Sequence, residues 1–112
     1  MNKQDKQKRI NECMRLLDNS FRKDINSVRI NTTNTIEHET AKLKVCYELI
    51  KSGKKILTEV VFKGGGRADV LVMENFRVYE ILHSETEKEA LSKIDRYPKE
   101  LEIMFIKTSE VN

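Results

Sequence analysis

GGRADVLVMENFRVYEIL, residues 65–82, is the stretch on which the fold turns. Ala68 to Met73 and Arg77 to Leu82 are rich in aliphatic and β-branched residues, and Glu74-Asn75-Phe76 between them is short enough for an antiparallel connection. Upstream, Ile56 to Phe62 reads as another strand, joined through Lys63-Gly64-Gly65-Gly66, so residues 56–82 predict a meander. Downstream, Ser84-Glu85-Thr86-Glu87 has the S-x-x-E spacing of a capping box, with Ser84 as the cap. A helix is expected from there to about Arg96, burying Ala90, Leu91 and Ile94 and ending before Tyr97-Pro98. Leu101 to Lys107 then forms a final strand, parallel to residues 77–82 because it is reached through a helical crossover.

Towards the N-terminus, Ile10, Met14, Leu17 and Phe21 recur at helical spacing, which predicts an amphipathic helix over residues 4–26 with a break near Asn19-Ser20. The polar run Asn31 to Thr35 supplies capping side chains ahead of a second helix, which starts at Ile36, runs to about Lys51 and stops at Ser52-Gly53. The expected order is α-α-β-β-β-α-β. That is an α/β fold, a four-stranded mixed sheet flanked by helices, in one domain over residues 1–112: a basic helical arm at 1–34 and a core at 35–112.

Composition bounds the function. With 38% hydrophobic and 35% charged residues among 112, the chain can bury one core beneath a heavily charged surface. No apolar run approaches the roughly 20 residues of a membrane helix, and the N-terminus lacks the apolar region of a signal peptide, so no membrane partner and an intracellular, cytoplasmic location are expected. Cys13 and Cys46 fall among apolar helix positions and read as buried thiols, not as a disulfide or zinc site. Of the 21 basic and 18 acidic residues, the first 34 positions hold 8 and 4, leaving 13 and 14 for the remainder. A basic arm beside an acidic centre suits an anionic partner.

Four acids interrupt the apolar patterns. Glu39 shares a helical stripe with Leu43, Cys46 and Ile50; Glu59 lies between Leu57 and Val61; Asp69 alternates with Leu71 and Met73; Glu80 sits between Val78 and Leu82. Each has an ordinary explanation alone, as a first-turn residue at a helix dipole, a loop residue or the solvated face of an edge strand. Together they place carboxylates on one helix and three adjacent strands, all pointing inward. Buried carboxylates repel and lose hydration unless a cation neutralises them. Mg²⁺ is held by one or two carboxylates plus waters and phosphates, a set suited to phosphodiester chemistry.

Gly65-Gly66-Arg67-Ala68-Asp69-Val70-Leu71-Val72 followed by Val78-Tyr79-Glu80-Ile81 resembles the GxRADVLV...VYEI core of the PD-(D/E)XK nuclease superfamily, in the flavour of archaeal Holliday junction resolvases and small archaeal or viral endonuclease-like proteins. The resemblance covers roughly residues 36–107 and takes in His38-Glu39, Glu59, Asp69 and Glu80. It implies a restriction-endonuclease-like core, dependence on Mg²⁺ or Mn²⁺, cleavage of a DNA backbone at branched or junction substrates, and action as a homodimer. Asp69 and Glu80 would bind the metal, and Glu39 would assist directly or through water.

The family pattern Glu-x-Lys is broken, because position 82 is Leu, which neither donates a hydrogen bond nor carries charge. Lys93, beside the Ala90 and Ile94 face of the third helix, is one substitute, and His83, on the opposite strand face, is another. Lys63 and Arg67 flank the supposed metal edge and are candidates for DNA-backbone contact, with Lys63-Gly-Gly-Gly-Arg67 read either as a flexible turn or as a DNA-contacting one. The expected function is a metal-dependent endonuclease. The alternative favoured by Leu82 is a DNA-binding or assembly module that keeps the nuclease fold without turnover, and a third reading is a protein-interaction factor using the basic first helix.

Overall fold

The computed structural model describes residues 2–111. Helix α1 (Lys3–Met14) is capped by Asn2, whose side chain accepts from the Asp5 amide at 2.8 Å. Helix α2 (Ile36–Lys51) is capped by Thr35 and closes at Ser52 and Gly53, the latter at φ +89°, as the sequence predicts. Strands β1 (Ile56–Val61), β2 (Arg67–Val72) and β3 (Arg77–Leu82) form the expected meander. Helix α3 (Glu87–Leu91) and a 3-10 turn at Ile94–Arg96 lead to β4 (Glu102–Lys107), which pairs parallel with β3. The sheet order is β1-β2-β3-β4, a mixed α/β sheet with helices on both faces.

On one face Ile10 and Cys13 of α1, with Leu17 just beyond it, pack with Leu57, Val60, Phe62, Leu71, Met73 and Val78. On the other, Cys46 of α2 packs with Ile56, Val70, Val72 and Tyr79. Burying each large aliphatic side chain contributes roughly 1.5–3 kcal/mol, which is why the basic helix is docked on the sheet by its one apolar stripe. Both thiols are buried and their pKa values pushed up to about 12, chiefly by that burial, so they are packing groups.

Three expectations on element boundaries are corrected. The first helix ends at Met14, not near residue 26, because the chain turns at Leu16-Leu17 to meet β1: the Asp18 amide donates to Val61, the Lys63 amide donates to Leu16, and Leu17 bridges Phe62. The third helix is capped by Thr86 with Glu89, both halves of the box being formed, so it begins two residues later than a Ser84 cap would set it. It also breaks after Leu91, which is 50% exposed, since the chain must bend to lay Arg96 and Tyr97 across the glycine turn. Tyr97, preceding Pro98, is extended at φ −85°, ψ 144°, as a residue before proline favours.

Candidate active site

The pairing register places three of the four acids side by side. Ile56↔Val72 through Val61↔Arg67 puts Glu59 opposite Asp69, and Val70↔Tyr79 continued by one step puts Asp69 opposite Glu80. Like charges directly across a ladder destabilise it, and here the ladder adapts. Glu59 takes the left-handed conformation at φ +50°, a strain on the order of 1 kcal/mol for a residue with a Cβ. The pleat is broken there: Leu57, Val60 and Phe62 share one core, and so do Ala68, Leu71 and Met73, a spacing of three and then two in each strand. Glu59 and Asp69 are thereby turned towards the α2 side. The expectation that Asp69 alternates with Leu71 and Met73 on one face is corrected by that break.

Asp69 Oδ2 accepts from the Ile81 amide at 2.8 Å, a side chain standing where a strand carbonyl would, and lies 3.3 Å from His38 Nε2. His38 Nδ1 is 2.7 Å from Glu39 Oε2. Burial works against the imidazolium, but Asp69 and then Glu39 outweigh it and raise the His38 pKa. Glu39 is also desolvated, yet the Asn31 amide at 2.6 Å, Lys42 Nζ at 2.6 Å and His38 bring its pKa down to about 2. Lys42 is fully buried; its ammonium donates to the Arg29 carbonyl at 2.6 Å and reaches Glu59 Oε2 at 3.4 Å. Asn31 closes the ring by donating its side-chain amide to Glu59 Oε1 at 2.8 Å.

Glu80 is different. Burial and the neighbouring Asp69 carboxylate push its pKa up to about 9, so the carboxyl keeps a proton at neutral pH. Its Oε1 lies 2.5 Å from the Tyr97 hydroxyl, whose oxygen also contacts the Arg67 carbonyl; the single phenol proton serves one of these contacts, and the proton kept on Glu80 is available to bridge carboxyl and phenol. The Tyr97 ring tilts against Phe62 at 5.3 Å and lies so close to Gly66 that a Cβ there would stand 2.5 Å from it. The Lys63-Gly64-Gly65-Gly66 turn is therefore a fitted surface: Gly65 needs φ +90°, and a Cβ on Gly64 would stand 2.9 Å from the Arg96 carbonyl.

A cavity of about 590 Å³ gathers these groups. Glu59, Asp69, Glu80, Arg67 and Lys93 line it, joined by His38, Asn31 and Tyr97. Of the residues singled out from sequence, Glu39 stands behind the wall, bonded to His38, and Lys63 is exposed on the turn outside the lining. Lys93 is held by Glu85 at 2.7 Å and is 66% exposed at its side chain. His83 is exposed and bonded to Thr108, away from the carboxyls. Leu82 lines the cavity and is buried.

The stripe expected on α2 is corrected at one position: Leu43 is 51% exposed, and Lys42 takes the inward place beside Glu39. Hydrophobicity selects Leu43 over its neighbour, but only a lysine compensates the two carboxyls that meet there. Sequence reading also missed His38 as a bridge, Asn31 as more than a capping residue, and Tyr97. The signal available was weak: a lysine three residues after an inward glutamate, and a tyrosine before the single proline.

Among the described residues no three His, Cys, Asp or Glu side chains form a ready-made metal cage. The donor set does fit a hard divalent ion held sparingly: two carboxyls, Asp69 and Glu80, share one cavity, where burial and then their mutual repulsion disfavour ionising both without a cation. Among the described residues no helix is long and apolar enough to cross a membrane. Comparisons with protein-family models, with curated proteins and with solved structures return no significant match.

Proposed function

We propose that this chain is a metal-dependent endonuclease of the PD-(D/E)XK kind that hydrolyses DNA phosphodiester bonds at branched or junction DNA. The observation that carries the reading is the row Glu59, Asp69, Glu80, brought to one level across three strands and opened to a single cavity. Asp69 and Glu80 would hold Mg²⁺, or Mn²⁺ in its place. When bound, the ion polarises the scissile phosphate, lowers the pKa of a bound water and offsets the charge that develops.

The chain's own groups do the rest. Asp69 is aimed by the Ile81 amide and His38, so its carboxylate is preset. Glu39, kept ionised by Lys42 and the Asn31 amide, holds His38 against Asp69. Glu59 completes the acidic wall. Lys93 and Arg67 bring cations to the cavity, where they would take the phosphate charge, and Lys63 on the adjoining turn would contact the DNA backbone. The exposed apolar residues Leu43 and Tyr47 on α2 support pairing into a homodimer, which would match a two-fold junction.

A second reading, a DNA-binding or assembly module without turnover, is favoured by the buried Leu82, since no lysine occupies that strand position. Supercoiled, linear and four-way-junction DNA incubated with Mg²⁺ or Mn²⁺ separates the two. Nicking or resolution by wild type that disappears in Glu80→Ala supports the nuclease. Salt-sensitive DNA binding without metal-dependent cleavage of any of the three supports the module, and the absence of both sinks both readings.

A further inference from the structure

Leu82 removes from β3 both the positive charge and the hydrogen-bond donor that a lysine there would supply. Lys93 can serve the first, but its ammonium is engaged by Glu85 at 2.7 Å. Lys42 is enclosed by Arg29, Glu39 and Glu59 and does not line the cavity, and His83 faces Thr108. Among the described residues, the side-chain donor in contact with Glu80 is Tyr97, at 2.5 Å.

We propose that Tyr97, on the crossover segment, is the positioning residue for Glu80, whose carboxyl it holds by a hydrogen bond to its hydroxyl. The inference rests on the nuclease reading for its consequence, but its geometry is independent of it. The ring is fixed before the hydroxyl acts: it leans on Phe62 and lies over Gly66 where only a glycine fits, and the hydroxyl oxygen so placed sits between the Arg67 carbonyl and Glu80. The two carboxyls of the row are thus positioned from opposite sides, Asp69 by His38 of α2 and the Ile81 amide, and Glu80 by Tyr97. The Tyr97 ring accounts for Gly66 and the Arg96 carbonyl for Gly64, because side chains there would drive the crossover away from the sheet, while Gly65 is set by its φ of +90°.

The test is Tyr97→Phe, which keeps the ring and deletes the hydroxyl. Three readouts are taken: a crystal structure of the metal-free variant, Mn²⁺ affinity by electron paramagnetic resonance, and junction cleavage resolved into kcat and KM. A displaced Glu80 carboxylate, Mn²⁺ affinity lower by about tenfold and kcat reduced with KM for DNA unchanged are expected, because orienting partners of metal ligands carry roughly 10- to 100-fold in affinity or activity. Melting within a few degrees of wild type shows that the ring packing survives. Should packing fail instead, replacement of Tyr97 by 4-fluorophenylalanine, nearly the size of tyrosine but without the donor, carries the same readouts. Glu80 unmoved and Mn²⁺ affinity unchanged would overturn the proposal. If wild type itself neither binds Mn²⁺ nor cuts DNA, the nuclease reading falls, while the position of Glu80 in the variant still decides the role of Tyr97.

Discussion

Lys42 is the residue on which the acidic wall depends. It has no solvent-exposed surface, and its partners Glu39 and Glu59 retain side-chain exposures of only 8% and 12%. Removing one member of such a set leaves uncompensated buried charge, which costs about 3–5 kcal/mol. Lys42→Met is expected to lower unfolding stability by about that amount in urea titration, and Lys42→Met combined with Glu39→Gln to recover part of it; a loss under 1 kcal/mol in the single variant would show that water reaches the site. Glu39 also gives the fold a pH dependence. Its pKa lies near 2 in the native state against an ordinary 4.5, so the unfolded chain takes up a proton where the native one does not. The stabilisation is complete above about pH 5 and lost as the pH falls towards 2, on the order of 3 kcal/mol for this group. Glu39→Gln should therefore flatten the acid limb of a stability-against-pH curve between those limits, and an unchanged limb would contradict the burial of Glu39 among these donors.

At the level of elements, the connections carry more of the architecture than the strands do. The glycine turn is held by contact with the crossover, so Gly66→Ala, with its Cβ at 2.5 Å from the Tyr97 ring, is expected to cost about 1–3 kcal/mol through overpacking. Chemical denaturation of that variant measures it, and a neutral result would mean that the crossover moves away freely. The start of α3 offers a sharper comparison. Thr86→Ala should destabilise the protein by about 1 kcal/mol, whereas Ser84→Ala should stay within about 0.5 kcal/mol, because the cap bond to the Glu89 amide comes from Thr86. Equal effects would return the helix start to Ser84. The strands themselves followed from their aliphatic and β-branched content and the turns between them, with β1, β2 and β3 within a residue of their expected bounds.

For the whole molecule, the nuclease reading predicts two bulk responses. Divalent metal at 100 times its dissociation constant should stabilise the native state by about 2.7 kcal/mol, seen as a rise in Tm that Glu80→Ala abolishes. No shift in wild type up to millimolar Mn²⁺ would count against Asp69 and Glu80 as ligands. DNA affinity should fall linearly in log salt, and Lys63→Ala or Arg67→Ala should each reduce the slope by about 1 without changing substrate preference, if each contacts one phosphate. A salt-independent affinity would point away from nucleic acid. The basic α1 does not act as a free arm in this scheme, since Ile10, Cys13 and Leu17 tie it to the sheet.

Composition and spacing along the chain were enough to determine the strands, α2 and the parallel return of β4, because those depend on residues a few positions apart and on the connections between them. The broken pleat at Glu59, by contrast, turned Glu59 and Asp69 off the faces that their spacing predicts. Which groups meet the acids was decided by packing. Asn31 reaches Glu59 across 28 residues and Tyr97 reaches Glu80 across 17, and no spacing rule links such partners. The choice between Lys42 and Leu43 shows the reason most directly. Helical geometry allows either to face inward, hydrophobicity prefers Leu43, and the carboxyls of Glu39 on the same helix and Glu59 on β1 reverse that preference. A local pattern reports a face; the electrostatic demand on that face comes from the elements folded against it.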